Sequence, residues 1–225
     1  MLSENTISFL ERLKENNDRT WFAENKQEFD MIWKNFNDFV QVMINEISLI
    51  DPSIQNVQVK ECLFRIYRDI RFSKNKTPYK THLAAYIASG GRKSIRAGYY
   101  FHIEPDNCML AGGVYLPKLD VLRKIWNAIY ERADELKAIL NNEEFAQNFP
   151  ELDDEKYKRV PSGFPKDFKD AELLKYKSYS VFKTLPYNFY FQDKEFKEFK
   201  ELKKLIKILY PFNNFFNQAI DEIRI

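Results

Sequence analysis

Apolar residues recur at helical spacing without a break from Trp21 to Ile47: Trp21/Phe22, Phe29, Ile32/Trp33, Phe36, Phe39/Val40, Met43/Ile44 and Ile47. A 3.6-residue period held over seven turns demands a long amphipathic helix, read here from about Thr20 to Ser48. Its aromatic stripe is core rather than cofactor box, so the rest of the chain must supply an apolar surface to receive it. A shorter helix, capped by Ser3 and carrying Ile7, Leu10 and Leu13, precedes it and ends at Asn16-Asn17-Asp18.

The alternation that follows supplies that surface. From Leu63 to Phe72, Phe64, Ile66, Ile70 and Phe72 point one way and Arg65, Tyr67, Asp69 and Arg71 the other, with Arg68 out of phase on the apolar side. Further strands are expected over Leu83 to Ala88, Tyr99 to Glu104 and Cys108 to Leu116, joined by a hairpin turn at Ser89-Gly90-Gly91-Arg92-Lys93-Ser94 and a turn at Pro105-Asp106-Asn107. Pro117 opens a helix through Leu140, and a short helix after Asn142 ends at Phe149-Pro150. Residues 151–169 read as a surface loop with one edge strand, Asp170 to Leu174 as a helical turn and Lys177 to Leu185 as another strand. Helices over Phe196 to Leu209 and Asn213 to Ile223 are separated at Pro211. The fold class is α+β, an antiparallel central sheet covered by helices from both ends of the chain.

With 44% hydrophobic and 16% aromatic residues, the 225-residue chain is no disordered segment, and it is long enough to bury roughly 70 to 75% of its unfolded surface. No Gly/Ser/Pro-rich linker divides it and no repeat appears, so residues 1–225 are expected to form one domain. Cys62 and Cys108 lack a CxxC partner and read as buried thiols on strands. The charged N-terminus offers no signal-peptide core and no apolar run approaches the roughly 20 residues of a membrane span. The expected compartment is the cytoplasm.

Charge is distributed unevenly. Between Arg65 and Arg96 stand nine Lys/Arg against one acid, Asp69, while the whole chain is only +2, leaving 26 Lys/Arg against 32 Asp/Glu elsewhere. Both histidines, His82 and His102, and five of the thirteen tyrosines lie in or just after this region. Arginine presents a planar fork of donors that matches carboxylate or phosphate, and lysine adds a point charge. Arg68 on the apolar side needs an internal carboxylate such as Asp69 or a bound anion, because an unpaired buried charge is costly.

Several of these segments together form a pattern: Asn16-Asn17-x-Arg19-x-Trp21-Phe22, Arg65-x-x-Arg68-Asp69-x-Arg71-Phe72-Ser73-x-x-Lys76-x-Pro78-Tyr79-Lys80, Tyr99-Tyr100-x-His102-Ile103, Gly112-Gly113-x-Tyr115-x-Pro117 and Arg159-Val160-Pro161-x-Gly163-Phe164. In these motifs, which extend over nearly the whole chain, it resembles the family catalogued as domain of unknown function 2461. The resemblance implies a domain unit and carries over no activity.

The residues themselves support three functional readings. The first is a basic, tyrosine-lined pocket for a small anionic ligand bearing phosphate or carboxylate, built from Arg65, Arg68, Arg71, Lys76, Tyr79, Lys80 and Tyr100. The second is a hydrolase or transferase using Asp69, His82 and His102 as acid and base, with Glu104 a further candidate; two histidines with carboxylates also suit a divalent metal, but no HExxH spacing is present and no metal set or cofactor is assigned. The third is a non-catalytic module for an acidic partner or nucleic acid. A near-neutral chain whose remaining residues are net negative argues against nucleic acid.

Overall fold

Side chains that compete for backbone groups decide where the N-terminal helices break. In the computed structural model of the protein, which describes residues 2–3, 5–190 and 197–222, α1 spans Asn5–Glu15 and buries Phe9, Leu10 and Leu13. The Asp18 carboxylate accepts from the Thr20 and Trp21 N–H groups and starts α2, Arg19–Glu24. The single helix expected over 20–48 is therefore two. Asn25 donates its amide to Trp21 O at 2.8 Å and leaves helical geometry, and α3 begins after it at Lys26–Ser48. Phe29, Ile32, Phe36, Phe39, Val40, Met43, Ile44 and Ile47 of α3 are buried as the 3.6 period requires.

After a short α4 (Val59–Cys62) come β1 (Leu83–Ile87), β2 (Gly98–Ile103) and β3 (Met109–Val114), then α5 (Leu119–Leu140), α6 (Glu143–Asn148), β4 (Tyr179–Thr184) and α7 (Lys197–Asp221). The strands form one antiparallel sheet in the order β1-β2-β3-β4, a meander, and the fold is α+β with helices from both ends of the chain on the sheet. Among the described residues no helix is long and apolar enough to cross a membrane.

The chain divides into two compact units, and β2 and β3 contribute residues to both. The first comprises Met1–Arg92, Tyr100–Leu110 and Thr184–Lys204. Its core is a run of aromatic contacts: Phe9 with Phe22 and Phe29, Phe36 with Phe39, and Phe39 edge-on to both Phe101 of β2 (5.7 Å) and Tyr190 (5.8 Å). The second comprises Lys93–Tyr99, Ala111–Lys183 and Leu205–Ile225. There Phe212 and Phe216 of α7 pack on each other, Tyr179 of β4 packs on Phe216, Asn213 hydrogen-bonds the backbone of β3, and Asn217, one turn on, that of Ala97 just before β2. Gly113 (φ 100°) is required, because a Cβ there would lie 2.0 Å from Tyr179 O.

Further expectations are corrected. Residues 63–72 form no strand; they make only isolated bridges, Leu63 to Ala85 and Tyr67 to Tyr79, with Phe64 N–H donating to Ala84 O, Lys80 N–H to Ile66 O and Arg68 N–H to Pro78 O. The ladder stops there because Asp69 and Asn75 turn the chain with local bonds to the Arg71 and Thr77 N–H groups. The two pieces make an irregular antiparallel arm. Cys62 ends α4 and Cys108 precedes β3, so both buried free thiols lie off strands. Pro117 lies before the N-cap Lys118 of α5 rather than inside the helix. Finally, α7 runs unbroken through Pro211: Leu205, Ile206, Leu209, Phe212, Phe216, Ala219 and Ile220 keep one buried phase across it, and burying one such side chain at about 1.5–3 kcal/mol already matches the roughly 3 kcal/mol cost of an interior proline. The expected helix ends at Phe196 and Ile223 fall outside the described residues. The edge strand expected in 151–169 is reduced to two bridges, Leu152 to Val181 and Lys156 to Tyr176.

Candidate functional site

Alternation along β2 sends Tyr100, His102 and the following Glu104 to one side of the sheet, while Tyr99, Phe101 and Ile103 enter the core. His82 stands immediately before β1, the strand paired with β2. The two imidazoles consequently pack with ring centroids 4.4 Å apart and planes tilted by 32°. His102 Nε2 lies 3.2 Å from Glu104 Oε2, and its other nitrogen, Nδ1, lies 2.8 Å from the Tyr100 hydroxyl. The Thr81 hydroxyl donates to Glu104 Oε1 at 2.6 Å and the Asn107 amide to Oε2 at 3.4 Å. Only 8% of the His102 surface is exposed, whereas His82 is half-buried and makes no hydrogen bond among the described residues.

Electrostatics follow from this crowding. Burial first and then the neighbouring His102 push the His82 pKa down to about 4; Glu104 pulls it the other way, and the Lys80 charge adds the least of the four. Burial also works on Glu104, upward, but the hydrogen bonds from Thr81, His102 and Asn107 outweigh it and hold the carboxyl below its ordinary value. The Tyr100 phenol is pushed up to about 12, by burial and then by the Glu104 charge. At neutral pH the cluster is a carboxylate, a neutral His82 and a protonated phenol around His102. Such a set can relay a proton or ligate a cation.

The arm, in contrast, separates the other predicted residues. Asp69 is not in the histidine cluster: Arg71 grips it through two guanidinium nitrogens at 2.9 and 2.7 Å on an exposed turn, holding its carboxyl down to about 2. Arg68 does not pair with Asp69 either; it is half-buried and donates to the Thr77 hydroxyl. Lys76 donates to Ile70 O at 2.9 Å and so braces the turn. Tyr79 is buried and stacked on Phe22 at 4.0 Å, with its backbone N–H and C=O both held by the Asn17 side chain. That clamp gives the Asn16-Asn17 and Pro78-Tyr79 motifs a shared structural purpose. Arg92 caps the end of α4 by donating to the Lys60 and Glu61 carbonyls.

Of the predicted ligand-binding cations Arg65 and Lys80 remain; Lys74, also on the arm, is exposed on its turn. Arg65 is exposed and makes no ion pair or hydrogen bond among the described residues, and Lys80 lies 5.5 Å over the Phe64 ring with no acid paired to it there. Burial, then the Arg65 charge, lower the Lys80 ammonium, and Lys80 in turn acts on His82, so the three form one electropositive neighbourhood. A cavity of about 430 Å³ is lined by Asp106, Asn107, Cys108, Thr184, Leu185, Pro186 and Tyr187, none of them predicted from the sequence. Asn107 links it to the cluster through the Glu104 carboxylate, and Cys108 through the Glu104 carbonyl. Thr81 and Asn107 escaped sequence reasoning because neither side chain carries a motif; only their positions beside His82 and in the turn after Glu104 hinted at them.

Fold and site together define an α+β protein with a histidine–glutamate cluster beside a basic arm. Residues 5–215 match the family of conserved hypothetical proteins DUF2461, and the chain belongs to that family. No curated protein and no solved structure matches it.

Proposed function

We propose that the protein binds a small anionic ligand, phosphate- or carboxylate-bearing, at the face carried by Arg65 and Lys80. The observation that supports this is a contrast among the cations: Arg68, Arg71 and Lys76 of the arm, and Arg92 beyond it, are each bonded to protein groups, whereas Arg65 and Lys80 lie within electrostatic reach of each other with no acid bonded to either among the described residues. Two like charges held together are relieved by an anion. Arginine supplies two-point contact and lysine the point charge. Arg65 is exposed and Lys80 half-buried, so the ligand is met at an open face beside the histidines.

A site of two cations suits one phosphate or carboxylate, while a nucleic-acid groove tracks several phosphates along a strand. Titration with pyrophosphate and with an oligonucleotide at rising salt separates the two. Saturable pyrophosphate binding that Arg65→Ala and Lys80→Ala each weaken by tenfold or more is the expected result. Pyrophosphate binding unchanged in both variants, or tight oligonucleotide binding at physiological salt with a slope of several ions, overturns the reading.

A further inference from the structure

The sequence assigns no metal set, yet folding collects three good donors at one point, and we infer that His82, His102 and Glu104 hold a divalent transition-metal ion. Their nearest donor atoms all lie within 4.8 Å of one another. Two nitrogen or oxygen ligands at about 2.0–2.1 Å from one zinc-like ion, at angles between square and tetrahedral, stand about 2.9–3.4 Å apart. The His102 Nε2 to Glu104 Oε2 separation of 3.2 Å is already of that size. The third donor, His82, has more freedom to adjust than the other two: it is half-buried and, among the described residues, no hydrogen bond restrains its ring.

The surroundings are those of ligands rather than of a structural histidine. Ligating imidazole is characteristically fixed through its second nitrogen, and ligating carboxylate through its remaining lone pairs. Here the Tyr100 oxygen sits at 2.8 Å from His102 Nδ1, the position for receiving its N–H when Nε2 faces an ion. Thr81 holds the other Glu104 oxygen, Oε1, and Asn107 steadies Oε2 itself from 3.4 Å. No Lys or Arg bonds that carboxylate among the described residues, so its charge is available to a cation. Two imidazoles and one carboxylate is the donor set of hydrolytic zinc and of non-haem iron(II), each with coordination positions left open. The inference stands on this geometry and does not depend on anion binding at Arg65 and Lys80.

Zinc and cobalt(II) are the probes. After chelator treatment the full chain is titrated with Zn²⁺ by calorimetry and with Co²⁺ by visible absorption, and its melting temperature is followed with and without Zn²⁺. One equivalent should bind, with cobalt d–d bands of a low-coordinate nitrogen and oxygen site and a rise in melting temperature. His82→Ala and Glu104→Gln should abolish all three signals, and Tyr100→Phe should weaken affinity by about 10–100-fold while leaving the stoichiometry at one. His82 is at the half-exposed rim, so His82→Ala decides the matter even where Glu104→Gln folds poorly. Absence of zinc and cobalt binding by the folded chain, or binding that His82→Ala leaves unchanged, overturns the metal site. Pyrophosphate binding is measured on the same variants without metal, so failure here is distinguishable from failure at Arg65 and Lys80.

Discussion

Replacing Asn213 tests how the C-terminal helix is held to strand backbone. Its side chain is fully buried; Oδ1 accepts from Gly113 N–H at 2.7 Å and Nδ2 donates to Gly98 O at 3.0 Å. Both glycines are buried too, so deletion removes two hydrogen bonds where water does not reach. Each bond lost to a buried backbone group costs about 1–3 kcal/mol, which predicts a loss of about 2–6 kcal/mol for Asn213→Ala, a large share of the 5–15 kcal/mol typical of a whole domain. Alanine leaves space in which a water can satisfy part of the debt. Leucine, of similar size to asparagine, fills that space with methyl groups, so Asn213→Leu should be the more destabilising despite its greater hydrophobicity. Urea unfolding followed by far-ultraviolet circular dichroism reads the effect as a lowered midpoint at unchanged slope. A loss below about 1 kcal/mol for alanine, or a leucine variant as stable as the parent, refutes the reasoning.

Gly113→Ala should yield no folded protein, since its Cβ would enter the Tyr179 carbonyl at 2.0 Å, whereas Gly163→Ala, with nothing within 4 Å, should cost only the roughly 1–2 kcal/mol of a positive φ; soluble yield and melting temperature compare them. Both thiols are free and buried, and burial raises the Cys62 thiol to about 12, so neither should react with a disulfide reagent at pH 8 until denaturant exposes both. Metal-free protein should lose stability on acidification: His82 resists protonation down to about 4 when folded but takes a proton near 6.5 when unfolded, so its contribution is full above about 6.5 and is lost as pH falls toward 4. Discounted for its partial exposure the loss is on the order of 1–2 kcal/mol, and His82→Ala, facing the same Lys80, His102 and Glu104, should flatten that part of the melting profile.

Periodicity made much of the fold legible. The stripe of α3 and the faces of α1 and, apart from the exposed Leu119 and Tyr130, of α5 are buried where a 3.6 period puts them, and the turn at Pro105-Asp106-Asn107 is where β2 gives way to β3, with Asp106 at φ 63°. Period alone misled where local bonds competed with it. Residues 63–72 alternate as a strand does, but Asp69 and Asn75 spend their side chains on nearby backbone, Phe72 is left 95% exposed, and the pairing ends at Arg68. Proline misled in the opposite direction at Pro211, where burial on both sides outweighed one missing N–H. The Asn213 contacts escaped notice because they join residues 100 and 115 positions apart, which no window of sequence can relate.

The histidine cluster shows where such reasoning gains and loses its hold. Alternation in β2 correctly put Tyr100, His102 and Glu104 on one side, because a strand's period is two whatever it packs against. Placing His82 against them required the pairing of β1 with β2, and the short connection through Ser89 and Gly91 made that pairing the natural one. Asp69 was drawn to the same chemistry by residue type alone, and type says nothing about competition: an arginine two positions away reached it first. Glu104 is the carboxylate that remains beside the histidines, because Thr81 and Asn107 hold it with neutral donors and leave its charge uncancelled. Neutral second partners are therefore what divides the two acids, one committed to an ion pair and one kept available to a proton or a cation.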